Sequence, residues 1–137
     1  MELLKLEELC PLCNPEMIGD QREVLSNEHC LFLQMPQKVL KGSGLIVPRE
    51  HRPTVFELSE EEWQSTYSLL KEVKELLDDQ YQPDGYTIGW NAGETGGQHI
   101  FHAHLHVIPR FEDEPYAGRG IRSWLKDEES IRPSLHD

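Results

Sequence analysis

Gly96-Gly97-Gln98-His99-Ile100-Phe101-His102-Ala103-His104-Leu105-His106-Val107-Ile108-Pro109-Arg110 sets three histidines two residues apart, with apolar residues between them. A strand sends successive side chains to opposite faces. Phe101, Ala103, Leu105 and Val107 can therefore face a core while His102, His104 and His106 line the other face, about 6.5–7 Å apart. A helix would place neighbouring histidines nearly opposite one another. Pro109, which has no N–H to donate, is expected to end the strand. The Gly-Gly-Gln approach leaves backbone N–H groups able to come close to an anion. Imidazoles in a row beside such a turn point to phosphorus chemistry or to a metal.

The bulk of the chain narrows the choice. Its 137 residues suffice for one domain with a core that needs no staples. We expect a single domain over 1–137, its core over 10–110, with 111–137 an irregular C-terminal segment. A net charge of -12 argues against nucleic acid or an anionic membrane as partner, since either needs a basic face. A small anion remains compatible, because a local cluster of Arg, Lys and His can hold it. The apolar runs are too short to span a bilayer. Residues 1–20 lack the basic start and apolar middle of a secretory signal. Three cysteines, an odd count, suit a reducing compartment. The cytoplasm is the expected location.

Cys10-Pro11-Leu12-Cys13-Asn14-Pro15 forms a tight knuckle able to present two thiolates to one ion. By itself it reads as half a zinc site, a redox pair or two unrelated thiols. The redox reading wants the pair to open a helix after a strand, whereas Pro15 and Gly19 follow here. Val24-Leu25 and Cys30–Leu33 read as strands about a corner at 26–28, with Cys30 in the core and His29 structural. Leu45-Ile46-Val47-Pro48 reads as a buried strand, and His51 follows at its exit. Ser59 and Glu62 form a capping box that opens a helix with Trp63, Tyr67, Leu70, Val73, Leu76 and Leu77 as its stripe, ending near Asp79. Tyr86–Trp90 alternates as a strand, and a loop over 91–96 leads to the histidines, making an antiparallel pair. In the tail, Arg119 and Arg122 are either cations for a polyphosphate or a solvated surface. The order of elements gives an α+β domain around an antiparallel sheet with a long packed helix.

With these residues in view, the sequence resembles the histidine-triad (HIT) family of nucleotidyl hydrolases and transferases. The likeness runs from Cys10 to Arg110. Its centre is His102-Ala103-His104-Leu105-His106-Val107-Ile108, the family's His-φ-His-φ-His-φ-φ pattern. Gly97-Gln98, Asn91 and Leu45-Ile46-Val47-Pro48-Arg49-Glu50-His51 occupy further family positions. The subgroup with an N-terminal Cys-x-x-Cys is most similar. The resemblance implies a structural Zn²⁺ held by Cys10, Cys13, His51 and His102. A closed four-ligand site leaves no position for a reacting water. It also implies that His104 attacks the α-phosphate of a purine nucleotide to give a nucleotidyl-histidine that water hydrolyses. A backbone carbonyl near His102 is expected to set the His104 tautomer, and His106 to hydrogen-bond the phosphate or the leaving group. Neutral imidazole is a competent nucleophile near pH 7. Backbone N–H groups of Gly97, Gln98 and His99 would hold the non-bridging oxygens, with Asn91 and Gln34 bordering phosphate and ribose.

Substrates of the dinucleoside polyphosphate or AMP-amide type and a homodimer follow from the same resemblance. Three positions depart from the pattern. Ser43 stands where many members have a supporting His. Gln34 takes the place of an acidic or Asn residue that grips the ribose. His99 replaces a Ser or Thr whose hydroxyl assists some leaving groups. The competing reading is a zinc-stabilised nucleotide-binding or interaction protein with little turnover, and a redox Cys-x-x-Cys protein stands third.

Overall fold

In the computed structural model, which describes residues 6–134, five antiparallel strands form one sheet in the order β1-β2-β3-β5-β4. They are β1 (Arg22–Ser26), β2 (Cys30–Gln34), β3 (Gly44–Pro48), β4 (Gly85–Trp90) and β5 (Leu105–Arg110). Helices are α1 (Leu6–Leu9), α2 (Glu60–Tyr81) and α3 (Ser123–Lys126). The chain crosses from β3 through α2 to the outer strand β4, then returns to lay β5 between β4 and β3. This is the expected α+β arrangement, and it puts the histidine strand in the interior of the sheet.

Both faces of β2 and β3 are covered, which is why Cys30–Leu33 and Leu45–Val47 are unbroken apolar runs. On one face Cys30, Phe32, Ile46, Leu105 and Val107 pack against Leu69, Val73 and Leu77 of α2. On the other, Leu31, Leu33 and Val47 pack against Cys10 and Leu12, with Leu45 and Ile100 at the edge. The N-terminal knuckle is therefore itself a core layer. β3 needs its glycine here: a Cβ on Gly44 would lie 2.5 Å from the Phe32 ring and 2.6 Å from the Leu33 carbonyl oxygen.

The α2 capping box forms as expected, with Ser59 accepting from the Glu62 N–H and Glu62 reaching back to the Ser59 N–H. Its buried stripe differs from the expected one. Glu62, Thr66, Leu69, Val73 and Leu77 face inward, while Trp63 and Tyr67 are exposed. One residue is about 100° of rotation, so those two aromatics lie beside the stripe, and Trp63 reaches the Trp90 ring edge-on at 5.8 Å. The helix runs to Tyr81, beyond Asp79, and stops at Gln82, which adopts the left-handed conformation with φ 44°.

The histidine strand is shorter at its start than expected. β5 begins at Leu105, so His102 and His104 lie in an irregular approach and only His106 belongs to the sheet. Phe101 is exposed, and both His102 and His104 are buried. The reason is a competing hydrogen bond: the Ala103 N–H donates to the Arg52 carbonyl instead of to a neighbouring strand. Pro109, for its part, lies inside β5. Pairing with β3 has ended at Gly44↔Val107, so position 109 has β4 as its one strand neighbour and tolerates the missing donor. Among the described residues, no helix is long and apolar enough to cross a membrane.

Candidate active site and metal centre

Cys10, Cys13, His51 and His102, far apart in sequence, place one ligand atom each so that all four lie within 4.8 Å of one another. The knuckle is locally built. The Asn14 N–H donates to the Cys10 carbonyl, the Asn14 side chain donates to the same oxygen, and the Cys13 N–H approaches the Cys10 Sγ at 3.4 Å. Gln21, which the sequence reading passed over, donates to the Pro11 and Pro15 carbonyls and holds the knuckle closed. Cys13 Sγ lies 3.2 Å from His51 Nδ1 and 3.3 Å from His102 Nδ1, and Cys10 Sγ lies 3.5 Å from His102 Nδ1.

The state of His102 follows from its far side. Its Nε2 is 2.8 Å from the Pro48 carbonyl oxygen. A carbonyl can only accept, so Nε2 carries the proton and Nδ1 turns its lone pair toward the sulfurs. Burial pushes the His102 pKa down to about 4, which keeps the ring neutral. Burial first, then the neighbouring Cys10, push the Cys13 thiol up to about 12, so a Cys13 thiolate here needs a cation beside it. Two sulfurs and two imidazole nitrogens on a closed perimeter can hold one tetrahedral ion.

Two residues on, the chemistry changes. His104 Nδ1 sits 2.8 Å from the His102 carbonyl oxygen, so Nδ1 is the protonated nitrogen and Nε2 keeps a lone pair. His104 as a residue is 7% exposed. His106, half-buried on β5, stands beside it with ring centroids 5.1 Å apart at 70°. Burial, then the His104 neighbour, lowers the His106 pKa from its ordinary value. His106 is paired with Leu45 of β3 and Gly89 of β4.

The glycine loop is tied to the exit of β3 through Gln98, and its donors are spent differently from the expectation. Gly97, at φ 102°, takes a conformation open to glycine, and its N–H donates to the Glu94 carbonyl. The Gln98 N–H donates to the Gly93 carbonyl. The Gln98 side chain is buried, accepting from the Gly93 N–H and donating to the Pro53 and Ile100 carbonyls. Gln98 is thus a brace between the loop and the β3 exit. Asn91 packs its side chain 3.5 Å from where a Cβ on Gly97 would sit. His99 is exposed.

Gln34 and Ser43 lie apart from this group. Alternation along β2 turns Gln34 to the α2 side of the sheet, where its amide donates to the Gly42 carbonyl and its neighbours include Arg22 and Tyr81. Ser43 Oγ donates to the Leu40 carbonyl. In the tail, Arg110 gathers the Glu114 carboxylate, Thr87 Oγ1 and the carbonyls of Tyr116 and Arg119. Arg119 stacks on Tyr116, and Ile121 closes over Gly89, on the strand opposite His106. Arg52, Glu62 and the Pro48 carbonyl were not read from sequence as parts of the site. The signal available for Glu62 was a helix cap, which hides its second contact with Arg52.

Comparison with known proteins agrees with this geometry. The HIT domain family model matches residues 19–113. The protein Hit of Bacillus subtilis (strain 168) is 34% identical over 90 residues, covering 65% of this chain and 61% of its own. The adenosine 5'-monophosphoramidase hnt1 of Schizosaccharomyces pombe is 32% identical over 92 residues, covering 67% and 66%. A bis(5'-adenosyl)-triphosphatase of Dictyostelium discoideum is 27% identical, covering 70% and 64%. The chain thus spans about three-fifths to two-thirds of the length of these relatives. The crystal structure of a HIT family member from B. subtilis superposes with a TM-score of 0.68 at 28% identity, over 76% of this chain and 74% of that one. The histidine row, the five-stranded sheet beside it and the match over 19–113 together make this chain a member of the HIT family.

Proposed function

We propose that the protein is a nucleotide hydrolase or nucleotidyl transferase that attacks the α-phosphate of a purine nucleotide, with His104 as the nucleophile. The observation that carries this reading is the His104 Nδ1 to His102 carbonyl hydrogen bond, which commits the lone pair to Nε2. Nε2 forms a bond to the α-phosphorus as the bond to the leaving amine or phosphate breaks. The leaving group departs with its electron pair and takes up a proton. Water then attacks the same phosphorus, and the P–N bond returns its electrons to the imidazole. To His106, whose ring lies 5.1 Å from that of His104, we assign the binding of the phosphate or the leaving group. Since Gly97 and Gln98 donate within the turn, the His99 N–H and the His106 ring are the donors we assign to the non-bridging oxygens. We assign Asn91, which packs on Gly97, to the border of this space.

We assign one structural Zn²⁺ to Cys10, Cys13, His51 and His102. Tetrahedral zinc with Zn–S of about 2.3 Å and Zn–N of about 2.0–2.1 Å sets sulfur and nitrogen roughly 3.6 Å apart, close to the separations of 3.2, 3.3 and 3.5 Å here. When bound, the ion neutralises the thiolates and ties the knuckle to the start of the histidine segment. A homodimer fits the exposure of Trp63 and Tyr67 on α2. The odd cysteine count, all of them free thiols, suits the cytoplasm.

Hydrolysis of AMP amides, AMP esters and dinucleoside polyphosphates, with product identification, tests the reading. We expect AMP from at least one class, an acid-labile nucleotidyl adduct in single turnover, and loss of both in His104→Asn. Full activity in His104→Asn would refute it. A second reading, a nucleotide-binding protein with little turnover, is favoured by Ser43, whose hydroxyl serves its own turn rather than the histidines. Nucleotide binding without release of AMP from any member of the panel would establish it.

A further inference from the structure

Three consecutive residues at the exit of β3 hold the histidine segment and the loop that leads into it, each through a different atom. His51 Nδ1 joins the cluster that contains His102. The Arg52 carbonyl accepts the Ala103 N–H at 2.7 Å. The Pro53 carbonyl accepts from Gln98 Nε2 at 2.7 Å. The middle contact bears on the chemistry. The Ala103 N–H and the His102 C=O belong to one peptide unit, and that unit is rigid and planar. Its N–H end is pinned by Arg52, and its C=O end orients the His104 ring at 2.8 Å. Turning one end turns the other.

Arg52 is itself held from the far side of the fold. Its Nε lies 3.0 and 3.2 Å from the two carboxylate oxygens of Glu62, a residue 2% exposed at the start of α2. Glu62 also accepts the Ser59 N–H at 2.7 Å. Burial works against the Glu62 charge, but the Ser59 and Arg52 hydrogen bonds outweigh it and hold the carboxyl below its ordinary range. A buried acid with one cation beside it fixes the position of that cation and of the backbone that bears it.

We propose that Arg52 is a positioning residue for His104: anchored by Glu62, its backbone carbonyl sets the orientation of the His102–Ala103 peptide and, through it, the tautomer and aim of the His104 ring. The role in turnover rests on the function proposed above, whereas the tautomer and the peptide orientation do not. The test uses the full, zinc-loaded chain with Arg52→Gln, Arg52→Lys and Glu62→Gln. Three quantities are read: the His104 tautomer by ¹⁵N-histidine NMR, hydrogen exchange at the Ala103 amide, and turnover of adenosine phosphoramidate. Arg52→Gln should show a mixture of His104 tautomers and Ala103 exchange faster by about tenfold. Its kcat should fall by about 10–100-fold with KM changed by less than about threefold. Arg52→Lys should recover part of each, and Glu62→Gln should move all three in the same direction by less.

If Arg52→Gln leaves Glu62 so poorly paired that the chain does not fold, Glu62→Gln carries the test, since its amide oxygen can still accept from Ser59. A single Nδ1–H tautomer with wild-type Ala103 exchange in folded Glu62→Gln or Arg52→Gln would overturn the proposal. A wild type that cleaves no phosphoramidate would count against the function alone, with the two spectroscopic readouts still deciding this inference.

Discussion

Removing the zinc proposed for the Cys10, Cys13, His51 and His102 cluster should cost this protein stability before it costs chemistry, by an amount that follows from mass action. A ligand that binds only the folded chain stabilises it by about 2.7 kcal/mol at 100 times its Kd and about 4.1 kcal/mol at 1,000 times. Unfolding entropy near 2.1 cal/mol/K per residue gives roughly 0.29 kcal/mol/K for 137 residues. The shift in Tm on chelation is then about 9–14 °C. The structure argues for the full effect, because the knuckle that carries Cys10 and Cys13 is a core layer over Leu31, Leu33 and Val47. Loosening it uncovers that face of β2 and β3. His104, by contrast, is oriented by a backbone carbonyl and not by a ligand atom. The assay is thermal unfolding by circular dichroism in the zinc-saturated, chelated and Cys10→Ala proteins, with zinc content and turnover measured at 25 °C. Refutation is a Tm shift under about 2 °C in a zinc-saturated sample, or far less than one equivalent of zinc in protein made with zinc available. If chelated protein stays folded yet loses its activity, the separation of metal from chemistry fails.

Acid should destabilise the metal-free protein from near neutrality downward. Buried His102 has its folded pKa held near 4, below the ordinary His value. An unfolded chain therefore binds the proton first, and stability present above about pH 6.5 drains away toward pH 4, by about 3 kcal/mol in all. Glu62, with its carboxyl also depressed, adds a loss of the same sign below its ordinary range. Urea midpoints that rise between pH 7 and pH 5 would contradict this. Gly44→Ala should lower stability by about 2–3 kcal/mol, because the clash at 2.6 Å is with the Leu33 backbone oxygen, held by the β2–β3 register. A Tm within about 2 °C of wild type would show that the sheet yields more easily than its pairing implies. Sedimentation at micromolar concentration should give a dimer, and a monomer there would remove that assignment.

What was legible in the sequence was what short-range spacing encodes. The α2 cap needs Ser59 and Glu62 three residues apart and nothing else, and it forms as read. The apolar runs of β2 and β3 announce strands covered on both faces, and the glycine loop announces the β4–β5 pair. The four donors at 10, 13, 51 and 102 followed from resemblance, and they do come together. The tertiary structure decided the rest. Alternation predicted three histidines on one strand, yet the Arg52 carbonyl takes the Ala103 N–H and leaves His102 and His104 outside the sheet, His102 in the cluster with Cys10, Cys13 and His51 and His104 against the His102 carbonyl. The Gln98 N–H, expected to face a phosphate oxygen, donates to the Gly93 carbonyl, and its side chain is a brace to Pro53 and Ile100. Trp63 looked like core and lies outside it, because helical periodicity names a stripe without naming which edge the sheet will cover. The physical reason is common to all three. Side chains carry their identity in the sequence, but a backbone carbonyl is the same at every position, so Pro48, Arg52 and His102 become the acceptors that orient this site only once folding has chosen which carbonyl stands where.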